Sequence, residues 1–142
     1  MQFRGENESE LSVMMDASPH FGGENAGVGP MEMLLMSIGG CSGMDVIDIL
    51  RKKKQDVTGY EINISGERRD EHPRIFTNIT VEHVIIGRNI NPDAVKRAVE
   101  LSTNKYCSVI GMLEKSARID VTYQVEEETA LPTRTTMVGN SS

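Results

Sequence analysis

From Pro30 to about Lys53 the sequence holds one long run of helix-forming residues whose apolar side chains cover most of the circumference: Met31, Met33, Leu34, Leu35, Met36, Ile38, Met44, Val46, Ile47, Ile49 and Leu50. A helix with a single apolar stripe can lie on the outside of a core, but one that is apolar nearly all round has to be enclosed by other elements. Pro30 suits the first helical position because its missing N–H would find no partner there anyway. The run Arg51-Lys52-Lys53-Lys54 suits the negative end of the helix dipole. This segment is therefore expected at the centre of the fold, with the rest of the chain arranged to cover it.

The covering elements can be read in order. Leu11 to Met15 forms a short strand that stops at Asp16-Ala17-Ser18-Pro19, and the glycine-rich stretch Phe21 to Gly29 is a loop. Past the long helix, strands at Tyr60 to Arg68 and Ile75 to Ile86 make a hairpin. Asn91-Pro92 caps and opens a helix through Ala94, Val95, Ala98, Val99 and Leu101, which stops near Ser102. A further helix from about Lys105 to Lys115, capped by Asn104, precedes a strand at Ala117 to Val125 with Ile119, Val121, Tyr123 and Val125 on one face. The expected fold class is α+β, an antiparallel sheet with helices on it. At 142 residues and 38% hydrophobic, the chain supports one core. That core is expected as a single domain over 1–126, followed by a disordered tail over 127–142 that is rich in Thr, Ser and Gly.

Charge removes several function classes. A formal net charge of -6 argues against nucleic acid or an anionic membrane as partner, since their affinity comes from Lys and Arg against phosphate. No apolar run approaches the roughly 18 residues of a membrane span, and Met1 to Glu6 lacks the basic start of a leader, so a cytoplasmic protein is expected. The glycine pairs around Phe21 and Val28 lack the Lys-Ser/Thr that a phosphate loop needs. The two cysteines are not at Cys-x-x-Cys spacing, and the three histidines, His20, His72 and His83, fall in unrelated contexts, so neither a zinc pattern nor a cofactor motif emerges.

The cysteines carry the chemical signal. Cys41 lies in Gly39-Gly40-Cys41-Ser42-Gly43, although a helical glycine costs about 1 kcal/mol relative to alanine. Either close packing or access to the sulfur must compensate. The pentad also fits the Gly-x-nucleophile-x-Gly elbow of α/β-hydrolases, but the residues before it read as helix where the elbow requires a strand. A thiol attacks as the thiolate, which a nearby cation or a helix N-terminus favours. Cys41 stands about 16 Å beyond the start of its helix, too far for the dipole, so a cation would have to come from Arg4, Arg68 or Arg69 if these are not merely surface residues. Cys107, placed in the first turn of the last helix, is either a thiolate held by backbone N–H groups or a small buried apolar residue. Met31, Met33, Met36 and Met44 either wall a pocket or fill the core.

The segment from Pro30 to Ser42, then Asp45 to Leu50, Gly66-Glu67-Arg68-Arg69 and Lys105-Tyr106-Cys107-Ser108 resembles the OsmC/Ohr family, most closely its OsmC-like branch, over about Gly29 to Val125. The resemblance implies an intertwined homodimer in which long central helices lie against antiparallel sheets. It also implies a peroxidase that reduces organic hydroperoxides and, less efficiently, hydrogen peroxide. In that reading Cys41 attacks the peroxide and Cys107 resolves the product as a disulfide, which a dithiol reductant resets. The family's glutamate directly follows the proline, where this chain has Met31; Glu32 is one place later and turned by about 100°. The family's arginine comes from an N-terminal hairpin whose first strand is expected here to be shortened or absent, leaving Arg4 as the candidate. A redox or small-ligand binding protein with little peroxidase turnover is the alternative that the substitution at Met31 favours.

Overall fold

A computed structural model of the chain describes residues 1–128 and 136–141 and divides them into two compact units, Met1–Leu34 and Leu35–Ser142.

The first unit opens with an antiparallel hairpin, β1 (Phe3–Glu6) on β2 (Ser12–Met15), in which Arg4 pairs with Met14. Of the two expectations for the first strand, shortened or absent, absence is ruled out by the four-residue β1, and the strand expected at Leu11 to Met15 is β2. The glycine-rich loop that follows is ordered by Asp16, whose carboxylate accepts the N–H groups of Ala17, Glu24 and Ala26 at 2.8, 2.9 and 3.1 Å. Those amides, Ala26 and Glu24 foremost, hold the Asp16 carboxyl down at about 2 against the opposing effect of burial. Gly23 is required here, since a Cβ would fall 1.9 Å from the Ala17 carbonyl oxygen.

Helix α1 (Pro30–Lys52) begins in the first unit and continues through the second. At its start the Glu32 carboxylate accepts the Gly29 N–H at 2.9 Å, the third helical residue reaching back to the cap as in a capping box. By length and mean hydropathy, 23 residues at 1.5, α1 is long and apolar enough to cross a membrane, contrary to the expectation that no stretch approaches this. Glycines, serines and aspartates interrupt the apolar residues of α1, so no single run in the sequence announces its length. Leu35, Ile38, Val46 and Leu50 of α1 are each 0% exposed within the fold.

The second unit is built on a four-stranded sheet of order β5-β4-β3-β6. Strands β3 (Asp56–Arg68) and β4 (Phe76–Arg88) form the expected hairpin, antiparallel with Ile62 opposite His83 and Tyr60 opposite Ile85. Alternation sends Tyr60, Ile62, Ile64 and Gly66 of β3 inward. A Cβ on Gly66 would lie 3.3 Å from Leu35, so α1 seats closely on this strand. Strands β5 (Arg118–Glu127) and β6 (Thr136–Ser141) join as parallel edges, on β4 and β3 respectively, making the sheet mixed where a purely antiparallel one was expected. β6 also corrects the expectation of a disordered tail over 136–141; residues 129–135 and 142 lie outside the described residues.

Helix α2 (Pro92–Leu101) starts as the sequence indicates, with Asn91 Oδ1 accepting the Asp93 N–H at 2.9 Å. It passes into a single π turn (Ser102–Tyr106) and then α3 (Ser108–Leu113). The expected helix from Lys105 to Lys115 is therefore shorter, and its cap is Cys107 and not Asn104. The fold class is α+β, as expected.

Candidate active site

Cys41 sits mid-way along α1, half-buried, and Asp45 follows one helical turn later on the same face. Cys107 reaches them from the other end of the sequence because α2 ends in a π turn. The Cys107 N–H closes that turn on the Ser102 carbonyl at 2.8 Å, and the chain then leaves in an extended conformation. The extra residue in the turn directs Cys107 toward α1. The sulfurs of Cys41 and Cys107 and a carboxylate oxygen of Asp45 all lie within 4.8 Å of one another.

The two thiols differ. Cys107 is 5% exposed and its sulfur accepts the Ile110 N–H at 3.5 Å, capping α3. Burial nevertheless pushes the Cys107 thiol up to about 11, with the hydrogen-bonded Cys41 sulfur adding to the rise and the N–H groups of Ile110 and Val109 opposing it. Of the two readings the sequence left open for Cys107, its burial favours the small buried residue, while the Ile110 N–H on its sulfur is the kind of contact the other reading needs.

Ser102, 1% exposed, donates its hydroxyl to Asp45 Oδ2 at 3.0 Å and fixes that carboxylate. Deeper, the Tyr60 hydroxyl meets His83 Nδ1 at 2.6 Å. Burial, followed by the Asp45 charge, drives Tyr60 far above its ordinary value, so it does not ionise. Burial lowers His83 to about 4, so the ring is neutral at pH 7, and its Nε2 has no hydrogen-bond partner among the described residues.

The glycines around Cys41 divide between the two roles the sequence allowed. A Cβ on Gly43 would stand 2.7 Å from Ile62 Cδ1, so Gly43 serves packing on β3; one on Gly40 would meet nothing within 4 Å among the described residues. Cys41 itself lies inside a continuous helix, which excludes the strand-turn-helix of a nucleophile elbow.

Of the site residues read from sequence, the structure brings Cys41 and Cys107 together. Arg4 and Glu32 belong to the first unit, where Arg4 donates to Glu6 and Glu32 caps α1. Arg68 and Arg69 donate through Nε to the carbonyls of Arg74 and Pro73, holding the turn between β3 and β4. Asp45, Ser102, Tyr60 and His83 were missed. Asp45 was recoverable from its spacing of four from Cys41, and His83 from its place in the apolar run before Val84-Ile85-Ile86; Ser102 left no signal.

Comparison with known proteins agrees with this fold. The family described as OsmC-like protein matches residues 22–122. Protein YhfA of Escherichia coli strain K12 is 46% identical over 125 residues, which is 88% of this chain and 90% of that one. A crystal structure of a hypothetical protein from Aquifex aeolicus VF5 is 34% identical with a TM-score of 0.72, covering 91% of this chain and 97% of that chain. An organic hydroperoxide resistance protein OsmC from Legionella pneumophila, at 10% identity, shares the fold with a TM-score of 0.65 over 87% of this chain and 95% of that one.

Proposed function

The chain belongs to the OsmC-like protein family, and from that premise we propose that it is a cytoplasmic, homodimeric thiol peroxidase that reduces organic hydroperoxides, and hydrogen peroxide less well. The observation that carries the reading is the pair of sulfurs within 4.8 Å, one half-buried and one buried. In the first step Cys41 sulfur attacks the distal oxygen of the hydroperoxide, the O–O bond breaks, and the alcohol leaves with a proton. Cys41 is oxidised by two electrons to the sulfenic acid. Cys107 sulfur then attacks Cys41 sulfur and the S–O bond breaks. The departing hydroxyl takes the Cys107 proton and leaves as water, and a disulfide remains. A dithiol reductant restores both thiols by exchange and becomes a disulfide itself. Met44 and Met112, 73% and 72% exposed, are apolar surface that a second copy would cover.

Stopped-flow mixing of reduced protein with cumene hydroperoxide tests the proposal. Cys41→Ser is expected to abolish turnover; Cys107→Ser should allow one rapid oxidation and then accumulate over-oxidised Cys41. Oxidation of Cys41 no faster than that of free cysteine would sink the peroxidase reading. A redox or small-ligand binding role would then stand. Three contacts support that second reading: a carboxylate beside the sulfurs, Glu32 engaged with the helix cap, and Arg4 engaged with Glu6.

A further inference from the structure

We propose that reduced Cys41 and Cys107, together with Asp45, form a binding site for a zinc ion. Zinc takes thiolate sulfur at about 2.3 Å and carboxylate oxygen at about 2.0–2.2 Å in a tetrahedron, whose edges are then roughly 3.5–3.8 Å. The three donor atoms here are mutually within 4.8 Å, so shifts of well under 1 Å per side chain gather them round one ion. Two sulfurs and one oxygen form a donor set that suits borderline-soft Zn2+ and not Mg2+ or Ca2+, which take oxygen.

Two features beyond the cluster support a binding site. Asp45 is already oriented, because the buried Ser102 hydroxyl donates to Oδ2 at 3.0 Å, the outer-shell contact that holds metal-ligating carboxylates in place. Asp45 also lines a cleft of about 330 Å³ together with Asp48, Ile49, Lys52, Leu101 and Tyr106, which places open space beside the cluster. With three protein ligands the fourth position stays open to water, the pattern of zinc sites that are not purely structural. An ion there holds both thiols as ligands and withholds them from oxidation. The site requires reduced cysteines but not peroxide turnover, so it stands or falls separately from the peroxidase reading.

The test is titration of the reduced, metal-free protein with Co2+ and then Zn2+ under anaerobic conditions. One equivalent of Co2+ per chain should give the intense visible bands of a tetrahedral ion with a thiolate-to-metal transition, and one equivalent of Zn2+ should erase both. Zn2+ should also slow alkylation of both thiols by iodoacetamide at least tenfold. Asp45→Asn, which keeps the side chain's shape, should weaken zinc about 100-fold, and Ser102→Ala about tenfold. Octahedral Co2+ spectra, unprotected thiols, or equal affinity in Asp45→Asn would each overturn the assignment. The alkylation assay uses the unmodified chain, so an Asp45 variant that fails to fold does not remove the test.

Discussion

At the scale of single residues, the contact between Tyr60 and His83 shows what burial does to a titratable pair. The two are diagonal neighbours on one face of the β3–β4 ladder, and desolvation keeps both neutral. Since folding lowers His83 from about 6.5 to about 4, the unfolded chain binds the extra proton first on acidification. The stability it contributes is whole above pH 6.5 and is lost as pH falls toward 4, a loss of about 3 kcal/mol. Urea unfolding at pH 7 and at pH 4 measures it. His83→Gln, which keeps a partner for the tyrosine but cannot titrate, should lose about 3 kcal/mol less across the same range. Identical pH slopes for the two proteins would mean that His83 is already charged in the fold. A sequence reading that sorts histidines by their chance of binding metal misses this one, because its meaning comes from a partner on another strand.

At the scale of elements, the route from α2 through the π turn to α3 decides whether the second sulfur is useful. Removing one residue, Asn104, from the turn should restore ordinary helical register and swing Cys107 by about 100°. One equivalent of oxidant should then leave two separate thiol products where the intact chain gives an intramolecular disulfide, a difference that mass spectrometry resolves. Retention of the disulfide would show that the turn is incidental to the pairing. α1, the β3–β4 hairpin and α2 were legible because each carries its own local signal: an all-round apolar run, alternation about a turn, and Asn91-Pro92. The π turn was not. Ser102 to Tyr106 have nothing in composition to set them apart from a helix end, and the widened turn reflects packing of Ser102 against α1. For the same reason Cys107 could be placed near a helix start from sequence, but not as the cap itself.

At the scale of the whole molecule, the α+β class and the central helix followed from patterning, whereas the parallel edges β5 and β6 did not. Pairing partners for Arg118–Glu127 and Thr136–Ser141 are set by strands far away in sequence, and a tail rich in Thr, Ser and Gly gives no apolar alternation to announce a strand. Asp45 likewise gains its meaning only when the fold sets Cys107 beside it. The nearness of the sulfurs also bears on how firmly the chain holds together. A bond between them would close a loop of about 65 residues and, by restricting the unfolded chain, would add about 4 kcal/mol to stability. Differential scanning calorimetry should therefore find the oxidised protein melting several degrees above the reduced one, and equal melting temperatures would count against a relaxed bridge. Heat resistance would then record whether the chain last met an oxidant or a reductant, turning a local chemical event into a property of the entire fold.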